Sequence, residues 1–383
     1  MRRYWKLAVL VPFIVLGIST YYVDASGYQP DYFLKTETGN AQVAANVQLQ
    51  AYANPSNVSI GTRGSKYPSF WASLDANDYR NSLRDLVKEY PQFMRGKQNP
   101  NGFYVDHRVI GYANLESQGS LGISHVNVSV YSKQQKTSFS FTVPLPNTTS
   151  LNIGVLLRVM VRGKYMKIFT LNFNSNGDHA IDLYTLDLNQ KRVVSDQTIL
   201  SSANQVALGG VNYTDDLEQP SDYAVFTESR NNQPQPSLLL VYDTRSGKVF
   251  DIKNRTITNI LKRMPSPAYA PNFQLDQLGN GLYVISKRDA KGQWRLVQYD
   301  LAKKNIRNDF TFSLNNSGGG VMNLVKISNH RLYMVVTSTA SPTVNPSLDI
   351  VDLNEGKVLY QGVVMRKNNK ELGGLGIYNI SVS

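Results

Sequence analysis

The chain contains no cysteine in 383 residues. That excludes disulfides, thiolate metal sites, a cysteine nucleophile and a lipid-modified N-terminal cysteine. Histidine is scarce as well. His107, His125, His179 and His330 stand alone, without the spacing of a zinc site. The formal charge is +12, yet no Lys/Arg run exceeds three residues, so no nucleic-acid-binding stripe is expected. The motifs G-x-S-x-G, S-x-x-K and H-E-x-x-H are missing, and the TRSGKV segment at 244–249 lacks the upstream glycine of a phosphate loop. Nothing in these patterns calls for a cofactor or a metal.

One long uncharged run is present. Leu7 to Val23 carries no charge and is preceded by Arg2, Arg3 and Lys6. Its length sits at the lower edge of a bilayer-spanning helix. The positive-inside rule then leaves residues 1–6 as a short cytoplasmic tail. Tyr4, Trp5, Tyr21 and Tyr22 fit the two headgroup belts. The alternative is a cleaved signal peptide, because Val23-Asp24-Ala25 resembles a small-residue cleavage site. A membrane anchor gives a single-pass protein of the cell membrane with an extracytoplasmic C-terminal domain; cleavage gives a secreted one. Both export the rest of the chain, and an exported chain without cysteine suits a bacterial envelope. Residues 24–31 read as a linker.

Beyond residue 100 a strand–turn–strand phrase returns at a regular interval. It reads LYTLDLNQKRVV at Asp187, LLVYDTRSGKVF at Asp243, LVQYDLAKKNIR at Asp300 and DIVDLNEGKVLY at Asp352, with spacings of 56, 57 and 52 residues. One period earlier Ser132 occupies the aspartate slot in NVSVYSKQQKTSF. A second marker keeps phase: glycine precedes an apolar run at Gly102, Gly154, Gly210, Gly320 and Gly374, and the unit without it has Pro265 nearby. Each unit holds four strand-like runs, as in GVLLRVMV, KYMKIFTLNF, AIDLYTLDL and RVVSDQTI. An array of four-stranded units with this period resembles the β-propeller superfold of WD40-like and quinoprotein-like proteins, over residues 102–383. The resemblance implies an all-β fold.

Five units begin near 102, 152, 209, 265 and 319, and only one further strand follows Gly374. Residues 32–70 supply strand-like stretches to complete a sixth blade from both termini, which would remove the exposed sheet edges of an open array. Six blades over 32–383 are expected, with seven as the alternative. Leu74, Tyr79, Leu83, Leu86, Val87 and Tyr90 predict one inserted helix within 71–96, ending before Pro91. No other substantial helix is expected in the domain.

Asp187, Asp243, Asp300 and Asp352 each precede a turn, where a carboxylate accepts hydrogen bonds from turn amides. Their expected role is structural. Asn172, Asn174, Asn176, Gly177 and Asp178 imitate the opening of a calcium loop, but Leu183 stands where the EF-hand needs a carboxylate, so a hairpin turn is the simpler reading. The long loops between second and third strands share an end of the propeller with the connections between blades. Function is expected there. Asp215, Asp216 and Glu218 are the densest acidic group assigned to that end and are the candidate binding residues. No catalytic residue is nominated.

These features favour a non-catalytic, membrane-tethered extracytoplasmic propeller that binds a membrane or envelope protein, or an anionic wall polymer attracted by its basic charge. The alternative is an enzyme acting on a glycan or small molecule through acidic residues at the propeller funnel. Two carboxylates within roughly 5–10 Å would mark it.

Overall fold

The computed structural model describes residues 10–20, 30–53, 56–68, 83–117, 123–146, 152–173, 178–202, 207–210, 221–229, 238–262, 272–276, 280–287, 293–314, 320–338, 345–367, 372 and 374–382. Its strands form six antiparallel sheets. The first four strands are β1 (Tyr32–Gly39), β2 (Val47–Ala53), β3 (Ser56–Gly61) and β4 (Gly64–Lys66). Two short helices follow, α1 (Arg84–Glu89) and α2 (Pro91–Met94). The second blade is β5 (Phe103–Val105), β6 (Val109–Ser117), β7 (Ile123–Ser132) and β8 (Thr137–Pro144). The third is β9 (Asn152–Arg162), β10 (Tyr165–Phe173), β11 (His179–Asp187) and β12 (Arg192–Ser202).

The fourth blade comprises β13 (Ala207–Gly210), β14 (Tyr223–Ser229), β15 (Leu238–Asp243) and β16 (Lys248–Asp251), followed by α3 (Arg255–Lys262). The fifth comprises β17 (Asn272–Leu275), β18 (Gly281–Lys287), β19 (Gln293–Asp300) and β20 (Asn305–Ser313). The sixth holds β21 (Gly320–Ser328), β22 (Arg331–Ser338), β23 (Ser347–Asp352) and β24 (Val358–Arg366), and the chain closes on β25 (Gly376–Val382). This is a β-propeller of six blades; among the described residues there is no seventh sheet.

Both ends of the chain meet at one joint. The first blade has the order β25-β2-β3-β4, so its leading strand comes from the C-terminus and the other three from the N-terminal region. Leu49 lies opposite Ile380, and Gln50 opposite Asn379. In addition, β1 pairs with β24 as a fifth strand of the sixth blade. Gly39 lets the chain leave β1: its φ is +86°, and a Cβ there would lie 2.2 Å from the Leu359 carbonyl oxygen. Asn40 then donates its amide to that same carbonyl and caps the following turn through its side chain. The joint buries Tyr32, Leu34, Val47, Leu49, Tyr333, Leu348, Ile350, Tyr360, Val364 and Ile380 in one apolar cluster.

Four more clusters of this kind join the second blade to the third, the third to the fourth, the fourth to the fifth and the fifth to the sixth. The remaining joint is built differently. Phe103, Val105, Ile110 and Tyr112, on the free face of the second blade, are covered by Leu83, Leu86, Phe93 and Met94 of the helical segment. The first blade's corresponding face carries Gln48, Gln50, Tyr52, Asn57 and Ser59, with Gln48 and Tyr52 exposed. Thus, among the described residues, five of six joints are apolar sheet-on-sheet packing, and at the sixth a helix pair covers the second blade's face.

Two expectations need correction, and a third finds no support among the described residues. The inserted helix is not the whole of the segment: α1 ends at Glu89, before Pro91 as expected, but Pro91 then opens a second helix, α2, at its first turn, where its missing N–H costs nothing; Leu74 and Tyr79 lie outside the described residues. A further helix, α3, occupies a blade connection, with Ile257 and Ile260 buried and Asn254 Oδ1 accepting the amides of Thr256 and Ile257. At the N-terminus, residues 10–20 are helical. Among the described residues no helix is long and apolar enough to cross a membrane. Residues 7–9 and 21–23, the rest of the predicted span, lie outside them.

The repeated turns share one construction. Asp187 Oδ1 accepts the amides of Asn189 and Gln190, Asp243 Oδ1 those of Arg245 and Ser246, and Asp352 Oδ1 those of Asn354 and Glu355. Asp300 Oδ1 accepts the Lys303 amide and Ser132 Oγ the Gln135 amide. Four residues after each acceptor the backbone is left-handed, at Lys136, Lys191, Gly247, Lys304 and Gly356. Glycine adopts that conformation freely, whereas lysine does so at a cost. Lys191→Gly and Lys304→Gly are each expected to raise unfolding free energy by about 0.5–1 kcal/mol. Urea denaturation checks this, and a loss of stability would refute the turn assignment.

One carboxylate is locked in the core. Asp349 is 1% exposed on the face of β23 that meets the fifth blade; it accepts from Gln361 Nε2 at 2.9 Å and Ser347 Oγ at 3.0 Å. Gln361 is held in turn by Thr38 of β1. Burial pushes the Asp349 pKa up to about 6, with the two hydrogen bonds opposing. The folded pKa exceeds the unfolded one, so the contribution is full below about pH 4 and is lost as pH rises through 6, on the order of 2–3 kcal/mol. Thermal melts of wild type and Asp349→Asn are expected to diverge across pH 4–6, the variant gaining on wild type. A constant difference across that window would contradict the buried carboxylate.

Candidate functional site

The described residues place a cavity of about 360 Å³ where the second, third and fourth blades meet. It lies at the end of the blades that carries the short hairpin turns. Each wall comes from a strand end. The second blade contributes Tyr104; the third contributes Met160, Val161 and Arg162 at the close of β9 and Lys167 early in β10. Ser221 and Asp222 lead into β14, and Thr244 and Arg245 belong to the turn that Asp243 organises.

Its electrostatics are one-sided. Arg162, Lys167 and Arg245 share the lining with a single carboxylate, Asp222. Arg162 Nη1 lies 3.5 Å from Asp222 Oδ1, and Arg245 Nη2 pairs with Asp222 Oδ2. Both arginine side chains remain more than half exposed, so these pairs add little to stability. Lys167 Nζ donates to the Thr244 carbonyl at 3.0 Å. Burial holds its pKa below the usual ammonium value, and Arg162 pushes the same way. Behind the wall Arg158 is 8% exposed and donates to the Tyr223 carbonyl at 3.0 Å. Desolvation works against its charge, although a guanidinium stays protonated at neutral pH. Tyr104 donates to Asp106 Oδ2 at 3.1 Å, and burial raises its phenol pKa.

The cationic surplus has chemical consequences. An anion entering the cavity would meet two exposed guanidiniums able to bind carboxylate or phosphate oxygens in a fork, and an ammonium whose charge burial disfavours. A metal ion would be repelled by the same groups. Asp222 is held between two arginines, so its carboxylate oxygens are already engaged. Tyr104, Met160 and Val161 supply the apolar surface against which a small ring or chain packs.

The sequence-derived candidates are distributed as follows. Asp215, Asp216 and Glu218 lie outside the described residues. They fall in sequence between β13 and β14. Asp187, Asp243, Asp300 and Asp352 stand on four separate turns round the ring and do not converge. Most of the long loops nominated for function, including 174–177, 230–237 and 339–344, also lie outside the described residues. The cavity cations were not singled out. One signal was available: Arg158 and Arg162 interrupt the otherwise apolar run VLLRVMVR of β9.

Comparison with known proteins adds similarity of fold. No family model and no curated protein matches the chain. Among solved structures it is similar to a prolyl endopeptidase, at 12% identity and TM-score 0.40, covering 92% of this chain and 49% of that one. The chain thus spans about half the length of that enzyme. It is also similar to the oligogalacturonate lyase of Vibrio parahaemolyticus, at 7% identity and TM-score 0.43, covering 86% and 78%. The Dos1 propeller matches at 11% identity and TM-score 0.33, covering 66% and 59%.

Proposed function

We propose that this chain is a binding propeller of the cell envelope whose cation-rich cavity receives an acidic group, a carboxylate or phosphate, of an anionic envelope polymer. The observation that carries the reading is the imbalance at the cavity: three cations face one carboxylate that two of them already share. The +12 charge of the chain supports it by raising the local concentration of polyanions before docking. Residues 7–23, with Arg2, Arg3 and Lys6 before them, are proposed to hold the chain at the membrane with the propeller outside, where such polymers occur.

Catalysis is the less favoured reading. A pair of free carboxylates would support hydrolysis of a glycan, and the described cavity offers one, tied up in ion pairs. An arginine-rich, partly apolar pocket suits recognition of charge and shape.

Binding to poly(glycerol phosphate) and poly-glutamate, with neutral dextran as the control, tests the proposal. Both anionic polymers are expected to bind with an affinity that falls as salt rises. Arg162→Gln combined with Arg245→Gln is expected to lower affinity at least tenfold while leaving the melting temperature within a few degrees, because both side chains are largely exposed. Equal binding of dextran, or unchanged polymer binding by the double variant, would overturn it.

A further inference from the structure

At the other end of the third blade, a small buried cluster holds oxygen atoms that no described residue satisfies. Thr170 and Asp182 are directly opposed across β10 and β11, and Asn172 is the next residue of β10 on the same face. Thr170 and Asn172 are 0% exposed and Asp182 is 2% exposed. This face also carries Met166, Ile168, Tyr184 and Leu186, which pack against the second blade. Asn172 Nδ2 donates to Asp182 Oδ2. Thr170 Oγ1, Asn172 Oδ1 and Asp182 Oδ1 are all buried without a hydrogen-bond partner among the described residues.

Native interiors rarely leave one such atom unpaired, and three on neighbouring positions of one hairpin require a common explanation. All three are oxygens, one carboxylate, one amide carbonyl and one hydroxyl. That donor set is hard, without nitrogen or sulfur, and it is the chemistry that calcium prefers. The amide already fixes one carboxylate oxygen and leaves the other for a ligand. Cross-strand neighbours in a sheet hold their Cβ atoms about 5 Å apart, which lets their side-chain oxygens approach one centre.

We infer that Thr170, Asn172 and Asp182 form part of a calcium-binding site buried between the second and third blades, separate from the anion-binding cavity at the opposite end of the same blade. A cation there would satisfy three orphaned oxygens at once and tie β10 to β11 at the mouth of their hairpin. Burial raises the Asp182 pKa, with Thr198 and Asn172 opposing it; a bound cation would reverse that tendency. The aborted calcium-loop pattern beginning at Asn172 gains a rationale: the carboxylate is provided by Asp182 across the hairpin and not by the twelfth position, where Leu183 stands.

The test uses the full chain stripped with chelator and then titrated with calcium chloride, with magnesium and sodium chloride as controls. Wild type is expected to bind close to one calcium per chain by equilibrium dialysis, and its melting temperature to rise by several degrees at saturation. Asp182→Asn keeps the shape of the side chain and removes its charge; it is expected to fold but to lose the calcium-dependent rise and at least tenfold in affinity. Terbium supplies a second readout, since Tyr184 lies close enough to excite it. Sensitised emission is expected in wild type and not in Asp182→Asn. No calcium-dependent change in wild type would overturn the inference and assign the cluster to buried water. A calcium response that survives intact in Asp182→Asn would overturn it equally, by placing the ion elsewhere.

Discussion

The structure depends on one joint, where the two ends of the chain are woven into neighbouring sheets. β25 enters the first blade beside β2, and β1 leaves its own blade to extend the sixth. A ring of separate sheets has no reason to stay closed unless some strand crosses between first and last. Here two strands cross, in opposite senses, and the cluster from Tyr32 to Ile380 packs over both. Polar bonds reinforce the same seam. Thr38 of β1 holds Gln361, which holds the buried Asp349, while Lys367 pairs with Asp31 at 3.0 Å. Opening this joint would expose the edges of β2 and β24 and unsettle every blade that uses them as a fixed end.

The opposite side of the first blade shows what the seam compensates for. There the sheet presents glutamines, a serine and an exposed tyrosine, and the second blade turns its aromatic face to α1 and α2. Tyr131 of β7 completes that contact, lying 5.1 Å from Tyr90 and 5.7 Å from Phe93 between ring centroids. A polar sheet face contributes little hydrophobic closure. The described residues therefore hold the propeller together by five apolar joints, one of them reinforced by strand exchange at the seam, while the helix pair covers the second blade's face at the sixth.

Much of this was legible because it repeats. The aspartate before each turn marks a hydrogen-bonding need that recurs in every blade, and Ser132 meets it with a hydroxyl. Two of the phase-keeping glycines have a steric cause: a Cβ at Gly102 would lie 2.3 Å from the Ala113 carbonyl, and one at Gly154 would strike the Phe173 ring. What repeats less was hidden. Lysines at left-handed turn positions carry no propensity signal, β1 pairs with a strand more than 300 residues away, and α3 is too short for its periodicity to stand out. The cavity was illegible for a different reason. Its cations are drawn from β9, β10 and the β15–β16 turn, and only the packing of blade on blade makes them neighbours. Arg158 and Arg162, set in the otherwise apolar run of β9, were the local anomaly that pointed to it.

A chain without cysteine offers a direct test of the seam. Gln50 and Asn379 are opposed in the β2–β25 register, and opposed strand residues lie within reach of a disulfide. In the Gln50→Cys/Asn379→Cys variant, mild oxidation is expected to give a monomer with one internal disulfide, two daltons lighter than its reduced form and with no free thiol. Two free thiols, or disulfide-linked dimers in place of the internal bond, would show that the termini do not meet and would contradict the closed ring on which the cavity and its chemistry rest.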